Sequence, residues 1–167
     1  MTQPSHYDSV LEFYRKFQLN EYISDRTGLD ESVISTERLH LKLGLIAEEF
    51  FELVEAVYGK VSAGILENAW TKAKLNDQWN RDIVETADAL TDLIYVIHNL
   101  AIETGIPMNE VFEEVHSSNM SKLGADGNPV ISDGVTPSEY DGEVKPKGKV
   151  VKGPNFREPD IAKILGI

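Results

Sequence analysis

Five carboxylates, Glu48-Glu49-x-x-Glu52 and Glu85-x-x-Asp88, are set inside two strongly apolar runs of the chain. Acids three or four residues apart on a helix repel by roughly 0.2–0.5 kcal/mol per pair in water. Where leucines surround them, desolvation adds to the repulsion, and such groups must be paired, protonated or bound to a cation. An oxygen-only donor set suits Mg²⁺ or Mn²⁺, hard ions that prefer carboxylates and keep waters available for phosphate ligands. A run of acids is otherwise a solvated helix face. The embedding leucines, and the lack of lysines between the acids, favour the metal reading.

The elements that would position these acids are legible from apolar spacing. From Leu41 to Tyr58, apolar residues recur at three- and four-residue steps, which predicts a helix. Leu43, Ile46, Ala47, Phe50, Leu53, Val54, Val57 and Tyr58 share one broad arc, and Glu48, Glu49, Glu52 and Glu55 take most of the remainder, on a stripe that also carries Leu41 and Leu45. Ser35 or Thr36 is the expected cap and Gly59 the expected stop. A second long helix is predicted from Asp82 to Ile102, with Glu85, Asp88 and Asp92 on one stripe and no lysine or arginine in the stretch. If these two helices face each other, the acids form a carboxylate cage.

Around them, Tyr7 to Phe17 predicts a first helix, Asn20 to Ile34 a polar stretch of turns, and residues 60–80 a short helix packed through Trp70 and Trp79. Gly105-Ile106-Pro107 closes the long helix, and Met108 to Leu123 forms another. Beyond Gly124 the last 44 residues hold seven of the twelve glycines and five of the seven prolines, so long helices are excluded there. The expectation is an extended arm, with a small hairpin near Val144–Lys152 and a helical turn at Asp160–Leu165. The fold class is therefore all-α: a bundle of four to five helices over residues 1–123, with the extended arm of the same domain over residues 124–167.

A length of 167 residues allows one domain with a core of its own. The net charge of -12 argues against nucleic acid or an anionic membrane surface as partner, although a nucleotide remains open if metal ions mask the acids. With no cysteine there is no disulfide, zinc thiolate or thiol nucleophile. No apolar run reaches the length of a membrane span, and the start of the chain lacks the pattern of a signal peptide, so the expected location is the cytoplasm.

Other constellations compete for a role. Lys145, Lys147, Lys149, Lys152 and Arg157 gather positive charge in the arm, either as a solvated tail or as cations folded back toward an anionic substrate. Asn119 and Lys122, three apart, could hold phosphate oxygens or simply end a helix. Glu37-x-x-His40 and Glu113-x-x-His116 have the spacing used in di-iron carboxylate bundles, but four ligand helices cannot be assembled around them. His40 reads as a packed or interface histidine, and His98 likewise. No Gly-rich phosphate loop and no Gly-x-Ser-x-Gly elbow occurs.

The two acidic motifs together resemble the signature of the all-α nucleoside triphosphate pyrophosphohydrolases, which include MazG-like proteins and phosphoribosyl-ATP pyrophosphohydrolases. The resemblance continues through His116-Ser-Ser-Asn119-Met120-Ser-Lys122-Leu123, Asp126-Gly127, and Lys152-Gly153-Pro154-Asn155-Phe156 with Pro159-Asp160-Ile161. It implies Mg²⁺-dependent (Mn²⁺ serving) hydrolysis of a nucleoside triphosphate to monophosphate and pyrophosphate by a homodimer or homotetramer that associates through its bundle. Carried over, Glu48, Glu49, Glu52, Glu85 and Asp88 would be metal ligands, with Glu48 or Glu49 acting on the attacking water. Asn119 and Lys122 would contact substrate, and Lys149 or Lys152 would add charge from the arm. The long stretch from Glu52 to Glu85 departs from the tight helix hairpin common in the superfamily. The chain is also longer than a minimal phosphoribosyl-ATP pyrophosphohydrolase, and its additional helix and arm favour house-cleaning of (d)NTPs, dUTP-like or non-standard, over histidine biosynthesis. A di-iron protein and a non-catalytic assembly protein are the readings from other classes.

Overall fold

The computed structural model describes residues 4–167. Among the described residues the regular elements are six α-helices and two 3-10 turns, and the arm contributes three isolated antiparallel bridges. The helices are α1 (His6–Lys16), α2 (Thr36–Tyr58), α3 (Lys60–Ala73), α4 (Ile83–Thr104), α5 (Met108–Met120) and α6 (Ile161–Leu165). The all-α expectation holds: five helices, α1–α5, fall within residues 1–123, and α6 is the helical turn expected at Asp160–Leu165. Among the described residues no helix is long and apolar enough to cross a membrane.

The chain divides into two compact units. One is Arg26–Ile83; the other runs up to Asp25 and resumes at Val84–Ile167. In the Arg26–Ile83 unit, Ser35 caps α2 by accepting the Arg38 N–H at 3.2 Å, satisfying one donor that the first turn leaves without a partner. Gly59 alone separates α2 from α3. Its φ of 91° lies where a side chain would strain the backbone, which is why the chain turns sharply there rather than extending one long helix. Helix α3 spans 14 residues and packs against α2, burying Ala63. It is a fuller element than the short helix predicted, because Ser62, Gly64 and Asn68 blur the apolar spacing without stopping the helix.

In the other unit, α1 begins with a reciprocal cap: Ser5 accepts the Asp8 N–H and Asp8 accepts the Ser5 N–H, both at 3.2 Å. Phe17, which ends α1, is fully buried and stacks on Phe13 with ring centres 4.1 Å apart. Helix α1 packs on α5, and α5 packs on α6. Helix α5 stops at Met120, three residues before the predicted end. The arm is paired differently from the expected 144–152 hairpin: bridges join Ile131 to Val150 and Pro137 to Val144. Ser132 organises this pairing, since its N–H donates to the Lys149 carbonyl at 2.9 Å and its hydroxyl to the Lys145 carbonyl at 2.7 Å.

Among the described residues the apolar arc of α2 lies exposed. Leu43, Ile46, Phe50, Leu53 and Val57 are all exposed, Phe50 at 52%. Helix α4, apolar over most of its circumference, buries only Ala101.

Candidate active site

Helix α2 presents Glu48, Glu49 and Glu52 as exposed side chains. At about 100° per residue, Glu48 and Glu52 share a stripe with Glu55, Glu49 stands off to one side, and the exposed apolar arc lies opposite. Glu85 and Asp88, also exposed, stand in the opening turns of α4, where the positive end of the helix dipole favours acids. The trio belongs to the Arg26–Ile83 unit and the pair to the other. Among the described residues no three His, Asp or Glu side chains are grouped to hold a metal ion. By chemistry the five donors fit a hard divalent cation: all are carboxylate oxygens, all are exposed, and all sit on helical backbone.

Of the other predicted site residues, the structure brings Lys122 and Lys152 to the same junction. The Gly153 N–H donates to the Lys122 carbonyl at 3.2 Å, so the end of α5 and the returning arm meet there. The approach requires glycine, because a Cβ on residue 153 would lie 2.1 Å from the Leu123 carbonyl oxygen. The Lys152 ammonium stands 4.4 Å from the Phe156 ring centre and 4.8 Å from that of Tyr140, with the two rings edge to face. Asn119 is half-buried, and its carbonyl accepts the Lys122 N–H at 3.2 Å. Lys149 is half-buried within the bridged part of the arm.

Two clusters emerge that the spacing of residues did not single out. Arg157 donates to Glu114 at 2.7 Å and to the Ser117 hydroxyl, while the Arg157 N–H donates to Ser121 at 2.9 Å and its carbonyl accepts from Ser118 at 2.7 Å. This clasps the arm to α5. The Arg157 guanidinium, and then the Asp160 N–H, hold the Glu114 carboxyl below its ordinary value. Nothing in the sequence joins residues 43 apart.

The second cluster lies in the loop before α4. Asp77 accepts two hydrogen bonds from Arg81, at 3.0 and 2.8 Å, and one each from the Trp79 N–H at 2.8 Å and His40 Nε2 at 3.0 Å. The Arg81 pair, then Trp79 and His40, hold the Asp77 carboxyl well below the usual carboxylate range. The opposite charges of Asp77 and Arg81 four residues apart were the available signal. His40, expected to be packed or at an interface, is partly exposed and hydrogen-bonded to Asp77 at 3.0 Å. His116 faces Glu12 at 3.5 Å, so each histidine of the two Glu-x-x-His pairs has a carboxylate partner outside its own motif.

No curated protein sequence matches the chain. A crystal structure of a candidate NTP pyrophosphohydrolase from Exiguobacterium sp. 255-15 superposes with a TM-score of 0.60 at 24% identity, covering 99% of this chain and 96% of that one, and shares its fold. The pattern that defines the phosphoribosyl-ATP pyrophosphohydrolases matches residues 17–119, which include all five acids and Asn119. On that match, which spans more than half its length, the chain belongs to the phosphoribosyl-ATP pyrophosphohydrolase family, within the all-α NTP pyrophosphohydrolases, and is a pyrophosphohydrolase.

Proposed function

We propose that this enzyme hydrolyses a (d)NTP, dUTP-like or non-standard, to the monophosphate and pyrophosphate, with Mg²⁺ as its working ion and Mn²⁺ as a substitute. The observation that carries the reading is the family match over residues 17–119, inside which Glu48, Glu49, Glu52, Glu85 and Asp88 all fall. These five carboxylates would hold the metal, which, when bound, screens phosphate charge and acidifies a water. Glu48 or Glu49 orients the attacking water and takes its proton. The water oxygen bonds to phosphorus, the anhydride bond breaks, and pyrophosphate leaves with the electron pair. Asn119 and Lys122 contact the substrate at the end of α5, and Lys149 and Lys152 supply further positive charge from the arm.

Assembly is part of the same reading. The uncovered apolar arcs of α2 and α4 support a homodimer or homotetramer joined through the bundle. Its place of work is the cytoplasm and its role is nucleotide-pool house-cleaning.

A second reading, phosphoribosyl-ATP as substrate in histidine biosynthesis, is favoured by the family to which the chain belongs. Against it stands the arm, residues 124–167, which lies beyond the matched segment and within the span shared with the Exiguobacterium protein. The deciding experiment measures pyrophosphate release from a panel of (d)NTPs and phosphoribosyl-ATP, with Mg²⁺, with Mn²⁺ and with chelator. Chelator-sensitive release from one or two (d)NTPs is expected. Release from phosphoribosyl-ATP alone would select the second reading, and silence across the panel would sink both.

A further inference from the structure

Trp79 combines three features that rarely coincide. Its φ is 59°, in the left-handed region; apart from Gln18, no other described non-glycine residue has a positive φ. Bulky residues persist there only when their surroundings over-determine them. Here Asp77 does so, accepting the Trp79 N–H at 2.8 Å while gripping Arg81 with both oxygens. The Arg81 guanidinium in turn lies 4.9 Å from the centre of the indole, fixing the ring from one side. Yet Trp79 is 63% exposed. Strained backbone, an ion pair with its hydrogen bonds and a cation beneath the ring all hold a large aromatic surface in water, where burial would be favourable.

We infer that Trp79 is the platform on which the base of the nucleotide stacks. The inference rests on the reading of the substrate as a nucleotide, and it assigns a residue to the part of the substrate the carboxylates cannot hold. Arg81 is neutralised by Asp77. The site therefore offers a π-face rather than a phosphate-binding charge, which suits a flat heterocycle. His40 ties the loop to α2 through Asp77 at 3.0 Å. His40 precedes Glu48 by eight residues, roughly 12 Å along the axis at the helical rise per residue. The platform is thus tied to the helix that carries Glu48, Glu49 and Glu52, about two turns before Glu48. A ring already locked in place loses little freedom when a ligand binds. Because every base has a π-face, the platform strengthens binding of nucleotides generally and leaves base choice to other groups.

Trp70 is the only other tryptophan, so a Trp70→Phe background lets fluorescence report Trp79 alone. Nucleoside monophosphates are expected to quench that emission, and inorganic tripolyphosphate, which has no base, is not. Trp79→Ala should raise KM for the preferred nucleotide on the order of tenfold with kcat little changed. Trp79→Phe should recover most of the loss, and the inhibition constant of tripolyphosphate should stay constant throughout. The inference is overturned if nucleotides leave the Trp79 emission unchanged while the enzyme turns them over, if Trp79→Ala leaves KM unchanged, or if acrylamide cannot reach Trp79 in the free protein, which would mean another chain covers it. Quenching by nucleotides in a protein that hydrolyses none of them would retain the platform and reject the hydrolytic reading instead.

Discussion

Glu49 and Gly153 illustrate two ways in which one side chain can matter. Glu49 sits exposed on α2, beside rather than within the stripe of Glu48 and Glu52. Its replacement should therefore disturb chemistry without disturbing packing. Glu49→Gln is expected to lower kcat by about 10²–10⁴-fold, the range for loss of a positioned acid or base, while the helical circular dichroism stays at the wild-type level. Near-normal turnover in that variant would remove Glu49 from the reaction. Gly153 is the opposite case. It is buried, and a Cβ there would meet the Leu123 carbonyl carbon at 2.6 Å as well as its oxygen. Gly153→Ala should cost about 1–3 kcal/mol, as overpacked sites do, visible as a lower melting midpoint. An unchanged midpoint would show that the junction yields easily.

Among the elements, the contact between α5 and the arm has a pH dependence with a definite sign. The Glu114 carboxyl is held below its ordinary value of 4.5, chiefly by Arg157. A carboxyl depressed on folding stabilises the folded form above its unfolded value, and that contribution is lost as pH falls through the folded value. The clasp should hold at neutral pH and loosen below about pH 4.5. Protease accessibility of the arm, followed across that range, checks this, and Glu114→Gln should give a loosened arm already at pH 7. An arm equally protected in both proteins would show that Gly153 and its neighbours suffice. Helices α2 and α4 were legible in the sequence because their apolar residues recur at helical steps, and because Ser35 and Gly59 mark the ends of α2. The arm was legible only as not helical. Its pairing of Ile131 with Val150 follows no alternation, and the bond of Arg157 to Glu114 spans elements that periodicity treats separately. The site divides the same way. The types and spacing of the acids stand in the sequence, whereas the φ of Trp79 and the convergence of His40 and Arg81 on Asp77 arise only when distant segments meet.

Across the whole molecule, the exposed arc of α2 carries the prediction. Phe50 stands near the middle of that arc, flanked by Ile46 and Leu53, with no carboxylate among them. Phe50→Glu is expected to convert an oligomer into a species of 18.7 kDa in light scattering. A wild-type protein that already weighs 18.7 kDa at micromolar concentration would refute assembly through this face.

The hydrogen bond between Gly153 and Lys122 has a consequence for how such a chain can change over time. It brings the two ends of the intervening segment side by side, so residues 123–152 start from and return to the same point. The entropic cost of closing such a loop grows only slowly with its length. The segment is thus a cassette: it can be lengthened, shortened or exchanged while both ends keep their seats, and α5 need not shift to accommodate the change.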